Sequence, residues 1–159
     1  MPAQDYYDPP QVLNHLHKLV DDHKASLGLR YVAKQDELLL PEYPAALVSM
    51  EAPLRREQRA TRLFRLVFTV DIWVFHARLS TSKGNRSMED IQLATNVRKL
   101  LHQNYTLPDA STPVGHIVFG YVESESPGLT RLAGGRKTEQ VVTTRLVWVG
   151  ENRVRYEDA

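Results

Sequence analysis

The sequence predicts an α+β fold, a two-layer sandwich in which a mostly antiparallel sheet carries two main helices on one face. Three observations predict it. From Phe64 to Leu79 the even positions Phe64, Leu66, Phe68, Val70, Ile72 and Val74 form an unbroken apolar row with strand period. Two other stretches have helical period, and the elements follow in the order helix, short strand, long strand, helix, strand, strand.

The first helix is placed near Pro10 to Leu27. Asp8-Pro9-Pro10 supplies an N-cap and proline in the first turn, where its missing N–H costs nothing. Val12, Leu13, Leu16, Leu19, Val20 and Leu27 give one buried stripe, and Gly28 ends it. His15, Lys18, Asp21, Asp22 and Lys24 fill the outer faces. Beyond Pro41 and Pro44, Ala45 to Met50 reads as a short edge strand, because proline is tolerated at edges and strand starts. The arginine-rich stretch from Glu51 to Arg62, around Pro53, reads as a loop.

Ser87-Met-Glu-Asp90 opens the second helix, Met88 to Tyr105, with a capping-box pattern and acids in the first turn. Ile91, Ala94, Val97, Leu101 and Tyr105 form its apolar face, helped by Leu93 and Leu100, and Pro108 closes it. Two strands follow, Val114 to Glu123 and Glu139 to Gly150. The intervening Ser124 to Lys137, rich in glycine and broken by Pro127, reads as a mobile arm. The charged segment from Glu151 to Ala159 reads as a loosely held tail.

A chain of 159 residues fits one domain. Its 42% hydrophobic and 25% charged content is that of an ordinary globular protein. The net charge of +1 argues against a general nucleic-acid coat, which needs a dense excess of Lys and Arg. Without cysteine there is no disulfide, thiolate metal site or Cys nucleophile. No stretch approaches the roughly 20 apolar residues of a membrane span. Met1-Pro-Ala-Gln-Asp lacks the basic and apolar regions of a secretory signal, so synthesis and folding are expected in the cytoplasm.

No catalytic constellation is legible. His15, His17, His23, His76, His102 and His116 are scattered, and no spacing suits a metal. Gly134-Gly135-Arg136-Lys137 runs into a β-rich segment rather than a helix, so it does not make a phosphate loop. There is no Gly-x-Ser-x-Gly elbow. No cofactor, metal or enzymatic activity is expected.

Two features point instead to partners. Arg55, Arg56, Arg59 and Arg62 form a strip suited to a partner's carboxylates or to passing DNA, and Arg131, Arg136 and Lys137 of the later arm extend it. The odd positions of the long strand mix Arg65, Thr69 and Asp71 with Val67, Trp73 and Phe75. Either the chain covers these apolar side chains itself, or a second copy buries them.

In size, element order and pattern the chain resembles the tail-terminator (tail-completion) proteins of long-tailed bacteriophages. The matching features are the helix from Pro10 to Leu27, the Tyr43-Pro-Ala-Ala-Leu-Val48 lead-in, and the Val-Phe-Thr-Val-Asp-Ile-Trp-Val character of the long strand. The helix from Met88 to Tyr105 and two closing strands complete them. The resemblance implies a homohexameric ring in the virion, at the head–tail junction. There it caps the tail tube, ends tube polymerisation and meets the head–tail connector, with non-specific contact to passing DNA. It carries over no catalytic residue. A connector or neck protein is the nearest alternative, and a small dimeric α+β-barrel enzyme or ligand-binding domain, with His76 or His116 in its cavity, a more distant one. An RNA-binding sheet ranks last: the helix-first order and the missing Gly-Phe-Gly-Phe signature speak against it.

Overall fold

The computed structural model describes residues 8–35, 40–60, 63–78, 87–108, 117–134 and 137–155. Helix α1 (Pro9–Asp22) starts as its sequence dictates. Asp8 Oδ1 accepts from the Gln11 N–H at 3.0 Å, and Gln11 Oε1 accepts from the Asp8 N–H at 2.9 Å. The expected single helix is broken at His23, whose Nδ1 lies 2.8 Å from the Leu19 carbonyl, and continues as the short α2 (Lys24–Leu27). Gly28 caps it at φ 85°, a left-handed conformation that glycine adopts without steric penalty.

Strand β1 (Tyr31–Lys34) was not legible: four residues are too few to display a period. It pairs in parallel with β2 (Ala45–Ser49), which pairs on its other side with β4 (Leu63–Arg78). The expected edge strand at 45–50 is therefore interior. The prolines that suggested an edge precede it, and the Tyr43–Pro44 peptide is cis.

The stretch read as a loop from Glu51 to Arg62 contains β3 (Arg55–Ala60), antiparallel to the start of β4. Charged side chains hide its strand period, but one face of a sheet in water accommodates them. The arm read at Ser124 to Lys137 is also strand. β5 (Phe119–Gly134) and β6 (Lys137–Arg155) pair from Phe119↔Glu151 to Gly134↔Lys137. Pro127 and Gly128 are tolerated because β5 is an edge, where a missing N–H breaks no second ladder. β6 likewise absorbs Glu151–Arg155 of the expected tail; residues 156–159 lie outside the described residues.

The sheet order is β1-β2-β4-β6-β5, with β3 beside β2 on the same edge of β4. Only β1–β2 is parallel, so the expected mostly antiparallel α+β sandwich stands. The even row of β4 is the core. Leu66, Phe68, Val70, Ile72 and Val74 are buried with Val12, Leu16 and Val20 of α1 and with Leu146 and Trp148 of β6. α3 (Met88–Gln103) adds Val97, Leu100 and Leu101 to the same cluster. Its N-cap is as read: the Asp90 N–H donates to Ser87 Oγ, and the Ser87 N–H donates to Asp90 Oδ2.

Two residues assigned to its apolar face are in fact outside. Ile91 is exposed, and Tyr105 lies past the helix end at Asn104, 47% exposed.

Beyond the Arg78↔Val141 pair no described residue pairs with β6 on that side, while β5 and β6 continue together from Arg131↔Gln140 to Gly134↔Lys137 as a two-stranded ribbon among the described residues.

Candidate assembly surface

The odd face of β4 divides into two zones. Val67 and Phe75 are each only 3% exposed, so the subunit itself covers these two expected anchors. Trp73 is half-buried, stacked on Phe75 at 6.4 Å, with the Arg145 guanidinium 5.3 Å from its ring centre. Arg145 donates from Nε and Nη2 to Asp71 Oδ1 at 3.1 and 3.0 Å, which neutralises a buried carboxylate. This part of the face is an internally satisfied layer.

The exposed aromatic surface lies where the sequence did not reveal it, at the start of β5. Tyr105, Phe119 and Tyr121 form a chain with centroid separations of 5.7 and 5.6 Å. Phe119 is 52% and Tyr121 39% exposed, and Val118 beside them is also exposed. The signal available in the sequence was the aromatic at every second position, Phe119 and Tyr121, opening a strand.

Next to this cluster, at the β3 end of the sheet, four arginines share two glutamates. Glu57 receives Arg65 Nη1 at 3.0 Å, Arg59 Nη2 at 3.0 Å and Arg55 Nε at 3.3 Å. Glu151 receives Arg65 Nε at 2.9 Å and Arg153 Nε at 3.5 Å. The hydrogen bond from Arg65, with the surrounding arginine charges, holds Glu57 below the ordinary carboxylate range against a smaller opposing effect of burial. Arg65 is pushed upward by its bonds to Glu151 and Glu57.

A groove runs between the two clusters, lined by Arg55, Arg65, Val67, Thr69, Phe119, Tyr121, Glu123, Val149 and Glu151. It encloses about 140 Å³, below the roughly 300 Å³ at which small-molecule sites begin. A second hollow of about 420 Å³ is bordered by Arg59, Leu63, Arg65, Glu151 and Arg153.

Of the residues expected to form a basic strip, Arg55, Arg56 and Arg59 lie together on β3. Arg131 is exposed on the ribbon, and Lys137 begins β6 there. Arg62 and Arg136 lie outside the described residues. The ribbon cations do not extend the β3 strip. Arg131 pairs with Gln140 and Arg55 lies at the level of Glu151, roughly 35 Å away along β6 at about 3.3 Å per residue.

The described histidines have structural surroundings. His76, in the bulge of β4, is buried 2.8 Å from Thr144 Oγ1 and 3.7 Å from Asp90 Oδ1. His17 Nε2 lies 3.0 Å from the Val32 carbonyl, and His102 Nε2 accepts the Val122 N–H. Among the described residues no three His, Asp or Glu side chains converge as a metal site, and no helix is long and apolar enough to cross a membrane. His116 lies outside the described residues.

No family model matches this sequence, and comparison with curated proteins finds no match.

Proposed function

We propose that this chain is a virion structural subunit, a tail terminator that caps the phage tail tube as a ring and forms the tail side of the head–tail junction. The observation that supports assembly is the Tyr105–Phe119–Tyr121 cluster. Three large aromatic side chains lie together in water at a sheet edge, and such clusters anchor protein interfaces. The ribbon supports the same reading, since among the described residues it is two strands alone, and a two-stranded unit is marginal without a neighbour. The tail-terminator identity draws on the likeness in size, helix placement and long central strand.

In this reading the aromatic cluster packs against the next subunit, and the ribbon reaches the tube or the connector. Head-to-tail contacts of this kind close into a ring when the rotation per subunit permits. Light scattering after size exclusion, with negative-stain imaging of mixtures with tail-tube subunits, tests it. Rings of about six copies seated on tube ends are expected. A chain that stays monomeric at all concentrations and leaves tube length unlimited sinks the proposal.

A further inference from the structure

Among the described residues the sheet has two edges at the level of Val67, β3 and β5, and they differ. Along β5 the edge is blunted. A bulge interrupts it between Val122 and Ser124, His102 Nε2 takes the Val122 N–H at 3.0 Å, and Pro127 offers no N–H. These are the devices that stop strand addition. β3 carries one such device, a register shift between Gln58 and Ala60 at its end, and from Arg55 to Gln58 its ladder to β4 is regular. The strand has no proline and packs substantially only on β4, and its outer backbone groups make no hydrogen bond to another described segment. Gln58 Nε2 occupies the Ala60 carbonyl, at the strand's end.

The side chains of that open edge are selective. Arg55, Glu57 and Arg59 share one face, and Arg56 on the other face is exposed with no carboxylate in reach among the described residues. If two β3 strands paired antiparallel about Glu57, Arg55 of each copy would oppose Arg59 of the other and Glu57 would oppose Glu57, so that self-pairing is disfavoured. Arginine outnumbers glutamate at this end, while the whole chain carries a net charge of only +1.

We infer that β3 is an acceptor edge for an extended acidic segment of a partner protein, which adds as a strand and sets its carboxylates against Arg55 and Arg59. Backbone pairing supplies the register, and the guanidinium forks select for acid. A nucleic-acid backbone fits less well: Glu57 and Glu151 sit within the patch and repel phosphate, and a phosphate track makes no use of the strand's outward N–H and C=O pairs. The inference concerns β3 alone and stands whether or not the chain forms rings.

The test uses the full chain, labelled for amide NMR, and a peptide of about eight residues alternating glutamate and threonine, long enough to cover β3. Shifts confined to Arg55–Ala60 and its β4 partners are expected. A peptide N-methylated at alternate backbone nitrogens, and one with lysine in place of glutamate, should leave the spectrum unchanged. R59E should weaken the parent peptide by about fivefold. The inference is overturned by any of three results: no shift in β3, N-methylated peptide binding as tightly as the parent, or a short DNA duplex binding the same residues more tightly than the peptide.

Discussion

Trp148 is the residue around which β5 is set against β6. Its side chain is fully buried and lies flat across Gly150 of its own strand and Gly120 of the paired strand β5. A Cβ added at either glycine would fall inside the indole ring, closer than side chains approach one another. Among the described residues the indole Nε1 has no hydrogen-bond partner, so shape rather than polarity holds the ring. We expect G150A to destabilise the fold by about 1–3 kcal/mol in chemical denaturation. In a W148L background the same substitution should cost markedly less, because the clash is with the indole. Equal costs in both backgrounds would show that the ring is not the cause. Both glycines were legible as residues but not as a cradle. The sequence places them in strands, whereas their shared neighbour depends on the register of β5 against β6.

At the scale of elements, the two misread segments share one physical cause. Period-2 alternation reveals a strand only when one face is buried and the other is not. β3 buries little on either side, and Ser124 to Arg131 of β5 is mostly exposed, so neither displays it. β4, by contrast, has a complete apolar row and was placed within a residue of its observed bounds. The helix caps at Asp8, Gly28 and Ser87 were equally legible because capping is local.

The hold on β3 has a pH dependence with a definite sign. Glu57 has its pKa lowered on folding, so its contribution is present above the ordinary carboxylate pKa and lost as the pH falls through the depressed value. We expect the hydrogen-exchange protection of Arg55–Ala60, taken relative to the intrinsic rate at each pH, to fall on acidification before that of the β4–β6 ladder. Simultaneous opening of both ladders would contradict this. The ribbon invites a different measurement. Residues 131–134 pair with 137–140 and with no other described strand, so replacing residues 131–140 with an Asn-Gly turn should shift Tm by no more than about 2 °C. On the tail-terminator reading proposed above, the same deletion should abolish capping of tail tubes. Normal capping by the shortened chain would assign the ribbon no role in assembly.

For the whole molecule, the division of the odd face decides which substitutions separate folding from association. Val67 and Phe75, the anchors expected from sequence, are buried within the subunit and their loss should simply unfold it. Phe119 and Tyr121 are exposed, so F119S/Y121S should leave the dilute monomer about as stable as wild type, within ~0.5 kcal/mol each, while removing the assembly proposed above. Sedimentation of the double variant beside its melting curve checks both halves. The fold class was legible because one strand dominates it. The surface was not, because which aromatics stay wet depends on where α3 ends and how β5 crosses it.

The dominance of β4 has one more consequence, in time rather than space. β2 and β3 precede β4 closely, but its main partner arrives late: 74 residues separate Asp71 from Arg145, which bonds to it across the β4–β6 pair. On a translating ribosome the apolar row from Leu66 to Val74 therefore waits, covered on one edge only, until β6 has emerged. Late, non-local pairing of this kind also slows refolding, toward the millisecond-to-second range of sheet proteins. The nascent chain spends that interval with its most aggregation-prone strand half paired, which makes the order of synthesis itself a hazard that α1 and β1–β3 must shield.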